Sequence, residues 1–341
     1  MKVIKNWINS EAAAQEVVIS SKVCIARNFY ESLFTDKMKI EEARNNVDKI
    51  FEILSKRMED EEFVLIKFWE HDIDCLKVYL EKYLISEALI KRRDRSAVII
   101  NKNETLSVMI NEEDNLRIQC IVDGLDLKNA YNYVNKIDDC IEEVMPYAFD
   151  ENLGYLTSSP INVGTGLKAS VMIHLPALTI SEEIPNITNG LNKVGINIEG
   201  LYLESSKAWG NIYEIYNQIT LGIKELEIIS NLEGIVNNII NQEKKFRELV
   251  DDEYKYELED KIFRSYGIMK NAKLIKPKEI LDLLSYLRLG TEMGLLDISK
   301  KVLNNLLIDT RNSVIQIRLP KGTRNVEQDI YRANIVKERL I

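Results

Sequence analysis

Between residues 167 and 175 the chain alternates Leu167, Ala169, Val171, Ile173 and Leu175 with Lys168, Ser170, Met172 and His174. That period of two is the pattern of an extended strand with one apolar and one more polar face, and it commits the segment to a sheet with a core on one side. The same parity places Lys168 on the opposite side, where a ligand would meet it. Further upstream, Ala97-Val98-Ile99-Ile100 and Thr105-Leu106-Ser107-Val108-Met109-Ile110 flank the polar stretch Asn101-Lys102-Asn103-Glu104. This predicts two strands joined by a short turn, so that Asn111 to Arg117 begins at a strand end.

The periodicity then changes. Leu226, Ile229, Leu232, Val236 and Ile239 line one face of a helix, a stripe suited to packing and not to chemistry. Beyond about Arg247, segments such as Asp252 to Lys270 and Lys278 to Leu289 carry little strand pattern and predict an all-helical part. A length of 341 residues accommodates two domains, and with prolines and glycines scattered the two parts are expected to pack together.

Several function classes are disfavoured. The longest apolar candidate, Ala169 to Ile180, is short and interrupted by His174 and Pro176, so no membrane span is expected. The start, Met1 to Trp7, lacks a continuous apolar segment, and a cytoplasmic location is expected. Cys24, Cys75, Cys120 and Cys140 have no CxxC spacing and only His71 and His174 to assist them, which predicts free thiols and no metal site. A formal charge of -9 opposes nucleic-acid binding, and Lys91-Arg92-Arg93-Asp94-Arg95 reads as a solvated loop. Gly164-Thr165-Gly166 lacks both the third glycine of a dinucleotide fingerprint and the Gly-Lys ending of a phosphate loop. His174, just before a strand end and a proline, reads as structural.

Two segments carry more. Asn111-Glu112-Glu113-Asp114-Asn115-Leu116-Arg117 and Ser159-Pro160-Ile161-Asn162-Val163-Gly164-Thr165-Gly166-Leu167-Lys168-Ala169-Ser170-Val171-Met172 together resemble the signatures of the ATP:guanidino phosphotransferases, most closely the bacterial protein-arginine kinases of the McsB type. Alone, Glu112-Glu113-Asp114 would read as an exposed acidic turn. Tyr147 to Thr157, Asn217 to Gly222 and Arg264-Ser265-Tyr266-Gly267 extend the resemblance along nearly the whole chain. It implies an α+β fold: an antiparallel sheet flanked by helices over residues 1–247, then a helical dimerisation and docking domain over 248–341.

The resemblance also implies roles. Glu113 and Glu204 match the carboxylates that orient a guanidinium and take its proton, a task suited to a group that accepts two parallel hydrogen bonds. Ser159 and Asn162 fall at the guanidinium pocket, with Ser159 at the family's reactive cysteine. Ser20, Ser21, Lys22, Cys24, Arg117, Lys168, Ala169, Ser170, Val171, Met172 and Glu199 fall at the ATP triphosphate and its Mg2+, and Tyr83 near the adenine. Asp329 and Arg332, in Gln328-Asp329-Ile330-Tyr331-Arg332-Ala333, match a phosphoarginine motif whose leading arginine is here Gln328. Implied partners are proteins with exposed arginine, a second copy of the chain, a zinc-binding activator, a heat-shock repressor and a Clp-type unfoldase.

The departures from that pattern are concentrated. Lys22, Cys24, Lys168 and Glu199 stand at clamp positions where the family has arginine. A unit charge about 5 Å from a phosphate at an effective dielectric near 20 is worth roughly 3 kcal/mol, so the neutral and the acidic replacement matter most. Two functions therefore follow: an arginine-phosphorylating enzyme with a lysine-based clamp, or a regulatory protein that keeps the fold and the guanidinium pocket after losing efficient transfer.

Overall fold

The computed structural model describes Asn6, Ile8, residues 17–204 and 207–340, without the side chains of Leu203, Glu204, Lys207 and residues 250–253. The start from which a cytoplasmic location is expected thus lies outside the described residues, Asn6 apart. Twelve strands are described: β1 Val18–Arg27, β2 Phe63–Lys67, β3 Ala97–Asn101, β4 Leu106–Ile110, β5 Leu116–Asp123, β6 Phe149–Asp150, β7 Gly154–Tyr155, β8 Leu167–His174, β9 Ile196–Gly200, β10 Leu203–Glu204, β11 Lys207–Ala208 and β12 Ile212–Asn217. Eight of them form one sheet in the order β2-β3-β4-β5-β1-β8-β12-β9, every pair antiparallel. The 97–110 hairpin and the strand at 167–174 are as predicted.

The helices are α1 Ile40–Arg57, α2 Ile73–Glu81, α3 Glu87–Lys91, α4 Leu127–Glu142, α5 Pro176–Ile180, α6 Ile184–Asn192, α7 Glu225–Asn271, α8 Pro277–Glu292, α9 Lys300–Asp309, α10 Asn312–Arg318 and α11 Asn325–Arg339. In α1, Ala43, Val47, Ile50 and Leu54 recur at helical spacing and are buried, while Glu41 and Glu42 open the helix and Lys56 and Arg57 close it, in agreement with its dipole. One sheet face, with Val23, Ile25, Ile118, Leu167, Ala169, Val171 and Ile215, forms the main core with α1, α4 and the first half of α7. The predicted stripe on α7 belongs to this core: Ile229, Leu232, Val236 and Ile239 are buried in it, whereas Leu226 is exposed.

The other sheet face is divided. At one end Ile66, Val98, Ile100 and Met109 meet Leu76, Leu84 and Leu89 of the α2–α3 region. At the other, Ile19, Ile121, Met172 and Ile212 are covered by α8, α9, α10 and α11. Between the two caps lies a polar strip. Helix α7 runs unbroken through Arg247, with a non-helical turn only at Tyr254, so the chain passes from the sheet to the helical part without a linker. Among the described residues no helix is long and apolar enough to cross a membrane.

Candidate active site

The turn between β4 and β5 is built to present one carboxylate. Asn111 adopts a left-handed φ of 59°, a conformation asparagine tolerates, and its amide donates to the backbone of Ala43 and Arg95. Asp114 accepts from Asn28 at 2.7 Å and from the Ser158 backbone at 2.6 Å, and the Ser158 hydroxyl donates to the Glu113 carbonyl at 2.8 Å. Glu113 is left exposed at the tip, beside the loop that carries Ser159 and Asn162. No hydrogen bond or ion pair to its carboxylate occurs among the described residues, so both oxygens are open to a ligand. The Ser159 carbonyl accepts from Thr157 and from Asn162, closing the loop into a turn. Gly164 holds that loop against its neighbours: its φ is 112°, and a Cβ there would lie 2.3 Å from the Thr220 carbonyl.

Antiparallel register puts Lys22, Cys24 and Ala26 of β1 on one face with Arg117 and Gln119 of β5, Lys168 and Ser170 of β8, and Glu214 and Tyr216 of β12. Arg117 donates through Nε to Cys24 Sγ at 3.0 Å and through Nη1 to both oxygens of buried Glu112, at 3.0 and 3.1 Å. Its Nη2 has no protein acceptor among the described residues and remains available to a phosphate oxygen. Glu112, which sequence reading passed over beside Glu113, also accepts from the Ser86 hydroxyl. The Lys168 ammonium lies 3.8 Å from the centroid of the Tyr216 ring, and burial lowers its pKa.

Glu214 is the second residue that sequence reading missed. Lys22 Nζ lies 2.7 Å from its Oε1, bridging from β1 to β12 across Ser170 of β8. Burial alone would raise this carboxyl, but the ammonium groups of Lys22 and Lys168 more than reverse that and bring it from 4.5 to about 2. Glu199, directly opposite Glu214 on β9, is exposed. Tyr83 borders the strip: its carbonyl accepts from Gln119 at 2.7 Å, and its hydroxyl meets that of Tyr202. Three cations thus share one strip of sheet, a donor set matched to phosphate oxygens, and the turn that leads into β5 carries an exposed carboxylate of the kind that accepts a guanidinium.

The family model for the ATP:guanido phosphotransferase C-terminal catalytic domain matches residues 45–246, and that for the protein-arginine kinase McsB C-terminal domain matches 255–341. A protein-arginine kinase of Clostridium botulinum is 48% identical over 98% of this chain and 98% of its own length. Another, of Clostridium acetobutylicum, is 50% identical over 99% of this chain and all of its own. The chain belongs to the protein-arginine kinase family. The fold is also that of the substrate-free duplicated taurocyamine kinase of Schistosoma mansoni, with a TM-score of 0.60 at 21% identity; the match covers 78% of this chain and 41% of the duplicated one.

Within this protein-arginine kinase fold, not every residue expected at the site reaches it. Ala169 and Val171 point into the apolar core, because strand parity opposes them to Lys168 and Ser170. The Ser21 hydroxyl donates to the Gly124 carbonyl and accepts from the Asp126 backbone, fixing the turn into α4. Ser20 is buried, and Met172 lies under the helical part. Arg332 is fully buried, donating to the carbonyls of Thr310 and Ile275, to Asn312 and to Asp329; it ties α11 to the preceding segments and presents no face to a ligand. The basic run is not simply solvated: Arg92 pairs with Asp36 and donates to the Glu112 carbonyl, and Arg95 donates to Met38 at 3.1 Å. His174 is structural, buried against Ser285 at 2.8 Å with burial holding its pKa well below the usual value. The Glu204 side chain is outside what the structure describes, and among the described residues no group of His, Cys, Asp or Glu could hold a metal.

The depressed Glu214 carboxyl gives a pH signature. Its ionised form is favoured by folding, so its contribution is complete above 4.5 and is lost as pH falls through about 2. Denaturant unfolding of the native protein should show an acid limb of about 3 kcal/mol over that window, absent in Glu214→Gln. An unchanged limb in the variant would assign the acid loss to other carboxylates.

Proposed function

We propose that this protein transfers the γ-phosphoryl group of ATP to the guanidinium of arginine residues in proteins. The observation that carries this reading is the β4–β5 turn, which leaves Glu113 exposed and unpaired among the described residues while the next strand carries Arg117, whose Nη2 has no acceptor among them. Glu113 would hold the guanidinium plane and, with Glu204, accept the proton that the attacking nitrogen loses as its bond to phosphorus forms and ADP departs. Arg117, Lys22 and Lys168 would hold the phosphates, with magnesium arriving on the nucleotide. Ser159 and Asn162 would line the guanidinium side, and Tyr83 the adenine side.

A second reading, a regulatory binding protein, is favoured by the neutralisation of the clamp: Glu112 and Glu214 already pair two of its cations, and Glu199 adds a further negative charge at its edge. Calorimetry with Mg-ATP followed by a phosphoarginine assay on an arginine-rich protein separates the two. Binding with transfer is expected; no binding at millimolar nucleotide would overturn the kinase reading. If the clamp is weakened and not lost, Lys22→Arg, Lys168→Arg and Glu199→Arg combined should raise transfer about tenfold or more, measured by the same assay. No gain would break the correspondence between these residues and the phosphates.

Family membership also supports residues 1–247 as the catalytic and 248–341 as the docking domain, in a cytoplasmic homodimer working in the stress response. The zinc-binding activator, the heat-shock repressor and the Clp unfoldase rest on the same kinship. Asp329 and Arg332 as a phosphoarginine site would require the second to leave its buried partners.

A further inference from the structure

We propose that Glu214 is the affinity-setting residue of the nucleotide clamp, an internal anion that holds Lys22 until the phosphates of the nucleotide displace it. The inference rests on the assignment of this strip to nucleotide. The carboxylate is 13% exposed and sits across Ser170 from Lys22, whose ammonium lies 2.7 Å from it. It therefore lies where a phosphate contacting Lys22 would lie, and offers that ammonium the same chemistry: a negatively charged oxygen. A triphosphate must exchange one ion pair for another, and the net gain on binding is what remains after the pair with Glu214 is broken. Arg117 differs, because its partner Glu112 takes Nη1 and leaves Nη2 for the ligand. Arg117 thus keeps one donor open, Lys168 lies over the Tyr216 ring with no carboxylate ion pair among the described residues, and Lys22 is released by competition. Glu214 belongs to a strand whose alternate residues, Tyr213 and Ile215, are anchored in the core, so its backbone is fixed and the side chain alone must move.

The alternative is that Glu214 only neutralises the half-buried Lys22 and that phosphates never reach it. Titration of Mg-ATP, inorganic tripolyphosphate and AMP into the native protein and Glu214→Gln, by calorimetry at low salt, separates these. Tightening of ATP and tripolyphosphate by about tenfold or more, with a smaller effect on AMP, is the expected result, since a chain of phosphates gains from the freed Lys22 and from the loss of a nearby negative charge. Unchanged or weaker ATP binding in a folded variant would overturn the proposal while leaving the kinase reading intact. Absence of binding by both proteins would overturn both. Should Glu214→Gln not fold, Glu214→Asp keeps the charge but draws it back from Lys22, and an intermediate tightening is then expected; the native affinity would refute the displacement.

Discussion

Glu113→Gln should reduce arginine phosphorylation by about 10²- to 10⁴-fold while leaving the affinity for Mg-ATP essentially unchanged, the range expected for losing a positioned base. The amide occupies the same volume, but it presents one acceptor in place of two and cannot take the proton. The turn that carries it should be undisturbed, because its hydrogen bonds come from Asn111, Asp114 and Ser158 and from the Glu113 backbone, never from the Glu113 side chain. Glu112→Gln is the informative contrast. Glu112 is buried and holds Arg117 and Ser86, so its loss should shift the melting temperature and weaken nucleotide binding together. The decisive measurement is kcat and the KM for ATP for native protein and both variants. A Glu113→Gln protein that phosphorylates at the native rate would remove this carboxylate from the chemistry; a native protein that binds nucleotide but transfers nothing would establish the binding reading instead.

Why Glu113 was legible in the sequence and Glu214 was not is a matter of range. Glu113 lies in a turn between two recognisable strands, and everything that presents it, apart from Asn28, Ala43, Arg95 and Ser158, is within three residues. Glu214 carried a local signal too, since Tyr213 and Ile215 alternate with Glu214 and Tyr216 as core and strip residues. Its meaning, however, depends on β12 lying beside β8 and β8 beside β1, an order that no local pattern encodes. The same limit explains the residues that the sequence placed at the site and the fold uses elsewhere. Ser21 looks like a polar neighbour of Lys22, yet strand parity sends it to the turn before α4. Ala169 and Val171 sit inside a motif, but the period of two that revealed the strand already assigned them to the core. Arg332 resembles an exposed helix arginine until α11 is seen to pack against Thr310, Asn312 and Ile275.

Arg247→Met should destabilise the protein by about 3–5 kcal/mol, because it strands two buried carboxylates at the junction between the sheet and the helical part. Arg247 donates through Nε to Glu243 at 2.8 Å and pairs through Nη1 with Glu292 of α8 at 2.6 Å. Glu243 is fully buried and also accepts the backbone N–H groups of Ala177 and Leu178, which open α5 directly after β8. One guanidinium therefore joins the end of the strand that carries Lys168, the long helix, and the last turn of α8. The sequence pattern changes near this residue because its neighbours before it line the sheet core and those after it face other helices, yet the backbone runs straight through. Burial raises the Glu292 carboxyl despite its arginine neighbours, so Glu292 should take up a proton once Arg247 is gone. Combining Arg247→Met with Glu292→Gln should accordingly recover part of the loss, and a double-mutant cycle by urea unfolding measures how much. A single variant within about 1 kcal/mol of native would mean that water reaches the two carboxylates and that apolar packing alone holds the parts together.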